Sequence, residues 1–293
     1  VLEYIQRDMT SSEGGFFSAE DADSEGVEGK YYVWGKSEIE SLLDRQTASI
    51  ACEYYNVTER GNFEGKNILN VTQTMVDFAK RKCLPLESIK NILKTARTKM
   101  LDERGKRARP LLDDKILTSW NGLMISAFAK AGRVLDKPEL IDQASKAIEF
   151  IFKNLLTIDG RLLRRYRNGE AKYDGYLFDY TAMANACLDI YEASYNEDYI
   201  DHARNLMTIV SDKFQAPNGA FYETANDAEK LIVRHLTAYD GVEPSGNSGA
   251  AMAFLRLAAY DVDPKYTDRA RSILLAFIED ITENGLNTPF LLQ

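Results

Sequence analysis

Residues 160–214 read GRLLRRYRNGEAKYDGYLFDYTAMANACLDIYEASYNEDYIDHARNLMTIVSDKF, and the fold is decided there. A glycine opens a short run at Gly160-Arg161-Leu162-Leu163, a polar turn comes next at Asn168-Gly169-Glu170, and an extended run returns. That order predicts a β-hairpin. Leu177–Ser194 comes after it, apolar on nearly every side. Residues 197–214 form a second expected helix, with Ile200, Ala203, Met207 and Val210 on one stripe at a 3.6-residue period.

The same order recurs on both sides. Gly14-Gly15-Phe16-Phe17 leads to Asp23-Ser24-Glu25, and Gly219-Ala220-Phe221-Tyr222 leads to Asn226-Asp227-Ala228-Glu229. Small and apolar helices are expected at 119–135 and 245–260, each succeeded by an amphipathic one at 139–156 and 264–281. The stripes of the latter are Ile141, Ala144, Ile148, Phe152 and Ala270, Ile273, Phe277, Ile281. Pro138, Asn196 and Asp263 mark the starts of the amphipathic set. Trp120 to Asp179 is 59 residues and Asp179 to Asn247 is 68; position 138 to 197 is 59 and 197 to 264 is 67. A unit of about 60 residues is therefore a helical hairpin plus a connecting β-hairpin.

A helix apolar all round must be buried on most sides, whereas one with a single stripe faces water on the other. An inner ring of helices within an outer ring satisfies both, so the expected fold is mainly α: an (α/α)6 toroid with short β-hairpins between helix pairs, an open α-solenoid being the alternative. Three hairpins are plain, and helices at 37–43 and 86–104 are expected to add to them. Six such units need more than 293 residues, and Val1 to Asp8 reads as the last turns of a helix. All of 1–293 is therefore expected to be one partial toroid domain.

With 45% hydrophobic and 28% charged residues, the composition is that of an ordinary globular chain. Its net charge of −9 argues against nucleic-acid and anionic-membrane partners. No apolar run approaches the roughly 20 residues that span a bilayer. Cys52, Cys83 and Cys187 are too far apart for a CxxC pair, and isolated thiols suit buried packing in a reducing compartment. A cytoplasmic protein is expected, with organellar and secreted forms left open.

Four strings carry a resemblance: Gly14 to Glu25 (GGFFSAEDADSE), Gly61 to Leu69 (GNFEGKNIL), Leu112 to Met124 (LDDKILTSWNGLM) and Asp240 to Ser248 (DGVEPSGNS). Together they resemble the spermatogenesis-associated protein 20 family along essentially the whole chain. The resemblance implies an N-terminal thioredoxin-like domain with a CxxC-type site, absent from this chain, ahead of an (α/α)6 domain like those of six-hairpin glycosidases and sugar epimerases. It thus implies a link to carbohydrates by analogy.

Candidate site residues cluster before the apolar helices, where a toroid's cavity opens. They are Asp113, Asp114, Trp120 and Asn121; Asp179 and Tyr180; and Asp240, Glu243 and Asn247. Glu20, Asp21, Asp23, Glu64 and Glu223 join them, with His235 in the connection before the third apolar helix. Carboxylates accept bonds from sugar hydroxyls and aromatic faces cover the apolar side of a pyranose. Asp114, Glu243 and Asp179 are the expected catalytic carboxylates, two of them acting as general acid and as base or nucleophile; the others are expected to bind substrate. Each has a competing role as helix cap or ion-pair partner.

No cofactor or metal is expected. Asp21-Ala-Asp-Ser-Glu-Gly26 matches an EF-hand loop at its start, but the twelfth position is Tyr32 instead of the bidentate Glu. Gly29-Lys30 and Gly65-Lys66 lack the phosphate-loop spacing. Arg104-Gly-Lys-Arg-Ala-Arg109 reads as a helix C-terminal cap, or as a patch for a partner or an anionic group. Sugar epimerases of this fold use a histidine pair, and here only His235 is placed to serve, His202 lying in an amphipathic helix. The reading is a carbohydrate-binding or glycoside hydrolase-like domain taking a small-molecule or oligosaccharide substrate. A non-catalytic scaffold for the thioredoxin-like domain is the alternative, and a sugar epimerase or isomerase the second.

Overall fold

The computed structural model describes all 293 residues. Twelve α-helices run in chain order: α1 Leu2–Asp8, α2 Lys36–Leu42, α3 Arg45–Tyr54, α4 Met75–Lys82, α5 Leu86–Arg104, α6 Thr118–Leu135, α7 Pro138–Leu155, α8 Leu177–Ser194, α9 Asp198–Lys213, α10 Gly246–Tyr260, α11 Pro264–Ala276 and α12 Ile278–Asn284. The strands between them are short and antiparallel. The expected mainly helical class therefore holds. No helix is long and apolar enough to cross a membrane.

The chain packs as two compact units, residues 1–19 with 114–293, and residues 20–113. The larger unit has the inner-and-outer layering of an α/α toroid. Helices α6, α8 and α10 pack side by side, and each pairs with the amphipathic helix next in the chain, α7, α9 and α11. The inner helices carry glycine and alanine at their contacts. A Cβ on Gly122 would stand 2.8 Å from the backbone of Ala182, and one on Gly249 would stand 2.7 Å from Thr181 Oγ1. The outer helices bury one face, Ile200, Ala203, Met207 and Val210 in α9 as expected. In α7 the buried face centres on Leu140, Ala144, Ala147, Ile148 and Ile151, rotated so that Ile141 is only half-buried. Asp263 caps α11 through the Lys265 N–H, but that helix stops at Ala276, where Phe277 leaves helical geometry and buries its ring.

The repeat is visible bond by bond. Each outer helix ends in a turn that closes with the bridges Thr10↔Phe16, Leu156↔Leu162 and Gln215↔Phe221. A glycine with positive φ sits at the same place in each turn: Gly14 at 110°, Gly160 at 81° and Gly219 at 94°. Only a residue without Cβ takes such angles freely. The residue after the turn is then pinned by the next inner helix. Phe16 N–H donates to Asn121 Oδ1 at 2.8 Å, Leu162 N–H to the Tyr180 hydroxyl at 3.0 Å, and Phe221 N–H to Asn247 Oδ1 at 2.9 Å. The equivalent positions are therefore 121, 180 and 247, one residue away from the pairing of Trp120 and Asp179 with Asn247 that spacing suggests.

Beyond the pinned residue the repeats diverge. The middle one has the expected hairpin, Leu163–Arg167 against Glu170–Asp174, turning at Asn168 and Gly169 with φ of 53° and 76°. The third has no strand pair across 223–244, where a hairpin was expected. In the first, residues 20–113 occupy that place in the chain and form the smaller unit. Its short hairpin pairs Asp23 with Glu28 and turns at Glu25-Gly26, one residue beyond the expected tip. Helices α2 to α5 pack on one another around Trp34, Ile39, Ala51 and Ala96, and around Tyr54, Phe78, Ile89 and Leu93. Helix α5 has the bounds expected, and α2 and α5 lie in this unit. Cys52 and Cys187 are buried, whereas Cys83 is exposed and ends α4 in a left-handed conformation.

Candidate functional site

The entrances of α6, α8 and α10 bring together an exposed tryptophan, an exposed tyrosine, three carboxyls and an arginine, all within the larger unit. Asp179 lies in the first turn of α8 and is fully buried. Its Oδ2 accepts the Tyr176 N–H at 2.8 Å, and its Oδ1 accepts the Ser119 N–H from α6 at 3.0 Å. Arg164 Nη1 donates to Oδ2 at 3.3 Å. The arginine rides on the Tyr176 ring, with Cζ 4.6 Å from the centroid. Burial pushes the Asp179 carboxyl above the usual range, while Arg164 and the two N–H groups pull it back.

Glu223 enters from the third repeat. Its backbone is fixed, the carbonyl accepting the Leu177 N–H and the amide donating to the His235 carbonyl, both at 2.9 Å. Its Oε1 is buried without a hydrogen-bond partner. Burial raises this carboxyl to about 7, the negative charge of Asp179 adds to the rise, and Arg164 opposes it. The group therefore holds its proton close to neutrality, the property a general acid needs. Glu243 is the third carboxyl, accepting a 3.0 Å bond from the Trp120 indole N–H. That bond orients the indole while leaving Trp120 44% exposed.

Several expected site residues are engaged by backbone groups or ion pairs. Asn121 accepts the Phe16 N–H and donates to the carbonyls of Phe16 and Leu117. Asn247 does the same with Phe221 and Thr237. Both amides are buried with their bonds engaged by backbone, and Tyr180 is buried with its hydroxyl on Leu162. Asp240 accepts from the Ser245, Phe290 and Leu291 N–H groups and so ties the loop before α10 to the C-terminal segment. Asp114 forms an ion pair with Arg167 on the hairpin. His235 is exposed, and His202 lies against the Phe152 ring at 4.4 Å.

Glu20, Asp21, Asp23, Glu64 and Asp113 belong to the smaller unit. There Tyr32 donates to Glu20 at 2.8 Å, Asp21 accepts the Asp23 N–H at 3.1 Å, and Glu64 takes a positive φ of 45° in a turn. Of the basic stretch, Arg107 binds the Tyr31 and Val33 carbonyls and Glu38, and stacks on Trp34 at 4.2 Å. Sequence reasoning missed Arg164 and Tyr176. The available signal was position: Arg164 lies two residues after Leu162, as Glu223 lies two after Phe221.

No family model matches the chain. In sequence it is 31% identical over 315 residues to spermatogenesis-associated protein 20 of Homo sapiens, covering 95% of this chain and 40% of that protein. It is also 31% identical over 303 residues to an uncharacterized protein of Caenorhabditis elegans, covering 93% and 41%. The chain thus spans about two fifths of the curated relatives it matches. Among solved structures, the cellobiose 2-epimerase of Bacillus thermoamylovorans superposes with a TM-score of 0.49 at 12% identity, over 95% of this chain and 69% of that one. An inactive variant of the α-1,6-mannanase of Salegentibacter, in complex with α-1,6-mannotetrose, superposes with a TM-score of 0.48 at 14% identity, over 94% and 67%.

Proposed function

We propose that this chain, a relative of spermatogenesis-associated protein 20, carries a sugar-binding site with acid–base capability at the entrances of its inner helices. The observation behind this reading is Glu223, an unpartnered, largely buried carboxyl raised to about 7 beside Asp179 and Arg164. A carboxyl that is protonated at neutral pH can donate to a departing glycosidic oxygen. The indole of Trp120 offers a fixed apolar platform for a pyranose face, and Glu243, beside it, accepts hydroxyl hydrogens or serves as the second carboxylate. Fully buried Asp179 touches no ligand in this reading and acts as a positioning residue. Asp114, engaged with Arg167, stays outside it.

The test is calorimetric binding of a panel of mono- and oligosaccharides, with Trp120→Ala and Glu223→Gln alongside, and then product analysis of any sugar that binds. Saturable binding is expected, weakened about tenfold or more by Trp120→Ala, which corresponds to roughly 1.4 kcal/mol. Turnover is expected to disappear in Glu223→Gln while binding persists. Binding without turnover would select the non-catalytic reading, which the engagement of Asp114, Asp179 and Asp240 in caps and ion pairs favours. Absence of binding by folded wild-type protein would sink the sugar site altogether.

A further inference from the structure

Helices α6, α8 and α10 line a cavity of about 510 Å³, wholly within the larger unit. Small-molecule sites span roughly 300–1,000 Å³, so the cavity has the size of one. It adjoins Trp120 and Glu243 through two separate elements. Leu123, in its wall, lies one turn after Trp120 on the same face of α6, and Pro244, also in its wall, comes directly after Glu243. From Trp120 the α6 stripe continues through Leu123 and Ala127 to Lys130, a run of about 15 Å at 1.5 Å per residue. The wall changes character along that run. Leu123, Phe178 and Pro244 make it apolar near the helix entrances, and Lys130, Asp189 and Arg256 make it charged at the far end.

Asp189 is only 3% exposed. Lys130 Nζ stands 2.9 Å from its Oδ2 and Arg256 Nη2 stands 2.7 Å from its Oδ1. These are charge contacts at poor angles, and neither oxygen accepts a directed hydrogen bond. Desolvating a carboxylate is unfavourable, and here its acceptor capacity is used by no protein donor. Arg256 also donates to Glu192 at 2.7 Å, so charges of both signs alternate across the three helices. An added cation would meet Lys130 and Arg256, and an added anion would meet Asp189 and Glu192. A pair of neighbouring hydroxyls suits both signs, because each can donate to the carboxylate and accept from a cation.

We propose that the site takes a linear oligosaccharide of two or more units, with one ring on Trp120, the chain along α6, and a hydroxyl pair of a further ring seated on Asp189 and its two cations. This rests on the reading of Trp120 and Glu243 as a sugar site and deepens it, because it states the length of the ligand and where its far end binds. The apolar stretch between the two ends receives ring faces.

Calorimetry on the intact chain tests this with glucose, mannose and galactose beside the linear di- and trisaccharides of each. In wild type the affinity is expected to rise about tenfold or more from monosaccharide to trisaccharide. Ala127→Phe, at an exposed position of α6, fills the path, and Asp189→Asn removes the charge at its end. Each is expected to abolish the gain with length, whereas Trp120→Ala weakens short and long sugars alike. No binding of any of these sugars by folded wild-type protein overturns the sugar-site reading and this inference with it. Monosaccharide binding that depends on Trp120, with no gain from length, overturns this inference alone. So does a gain that survives in Ala127→Phe, whether or not Asp189→Asn folds. If Asp189 only ties the helices together, folded Asp189→Asn unfolds at lower denaturant and keeps the gain, which likewise overturns the inference.

Discussion

Glu223 ionises less readily in the folded chain than in the unfolded one, and stability must record the difference. Its carboxyl titrates at about 7 when folded against an ordinary value of 4.5. Between those values the folded state binds more protons, so stability falls as pH rises and the loss is complete above the folded value. A difference of this size is worth roughly 3 kcal/mol, since each pH unit is about 1.4 kcal/mol. Glu223→Gln removes the charge but keeps the shape. The variant should match wild type below about pH 4 and exceed it by up to that amount above about pH 8. Urea unfolding at both pH values decides this, and an equal difference at both would mean the carboxyl is well solvated. The buried amide of Asn247 tests the opposite kind of residue. It satisfies the Phe221 N–H and two carbonyls, so Asn247→Ala leaves two buried backbone groups of Phe221 and the half-buried Thr237 carbonyl without this partner. A loss of about 2–4 kcal/mol is expected, with no dependence on pH in the unfolding midpoint.

Helices α6 and α8 meet where Gly122 faces Ala182, and the approach is too close for a side chain. Gly122→Ala gains about 1 kcal/mol of helix propensity but must push the Ala182 backbone away. Overpacking against backbone costs about 1–3 kcal/mol, so the variant should be less stable than wild type by thermal and urea unfolding. A more stable Gly122→Ala would mean that the inner helices stand further apart than described. At this scale much of the fold was readable from the residues. Leu177–Ser194 and Leu86–Arg104 end where their apolar patterns end, because both are long enough for the period to average out single substitutions. Helices α3 and α4 escaped notice for the converse reason: they are 10 and 8 residues long, and α4 buries only Phe78 and Ala79. The site divided along the same line. Glu243 and Trp120 stand out in the sequence by their place at the start of apolar helices, and Glu223 only as one more carboxylate after a glycine turn. Arg164 was missed because an arginine in a polar hairpin looks like any solvated strand residue until Asp179 is seen behind it.

Across the whole molecule the hydrophobic residues sort into separate cores. Everything packed around Phe128, Ile148, Met183 and Phe254 lies in residues 1–19 and 114–293, and the clusters around Trp34 and Phe78 lie wholly in 20–113. Composition could not reveal this, because the inserted unit uses the same residue types as the helices around it and is bounded by no Gly- or Pro-rich linker. The chain has two tryptophans, and each unit holds one: Trp34 is buried in the smaller and Trp120 stands at the candidate site of the larger. Single-tryptophan proteins made by Trp120→Phe or Trp34→Phe therefore report the two units separately. Phe78 is fully buried beside Tyr54, with ring centroids 5.1 Å apart, and Phe78→Ala opens a cavity that should cost its own core about 3–5 kcal/mol. In the Trp120→Phe background that substitution should move the urea transition seen by Trp34 to lower denaturant. In the Trp34→Phe background the transition seen by Trp120 should stay within about 0.5 kcal/mol of its parent, the limit within which sites sharing no partners usually add. If both transitions shift together, the two cores stand or fall as one, and the insertion has become part of the energetics of the site-bearing unit.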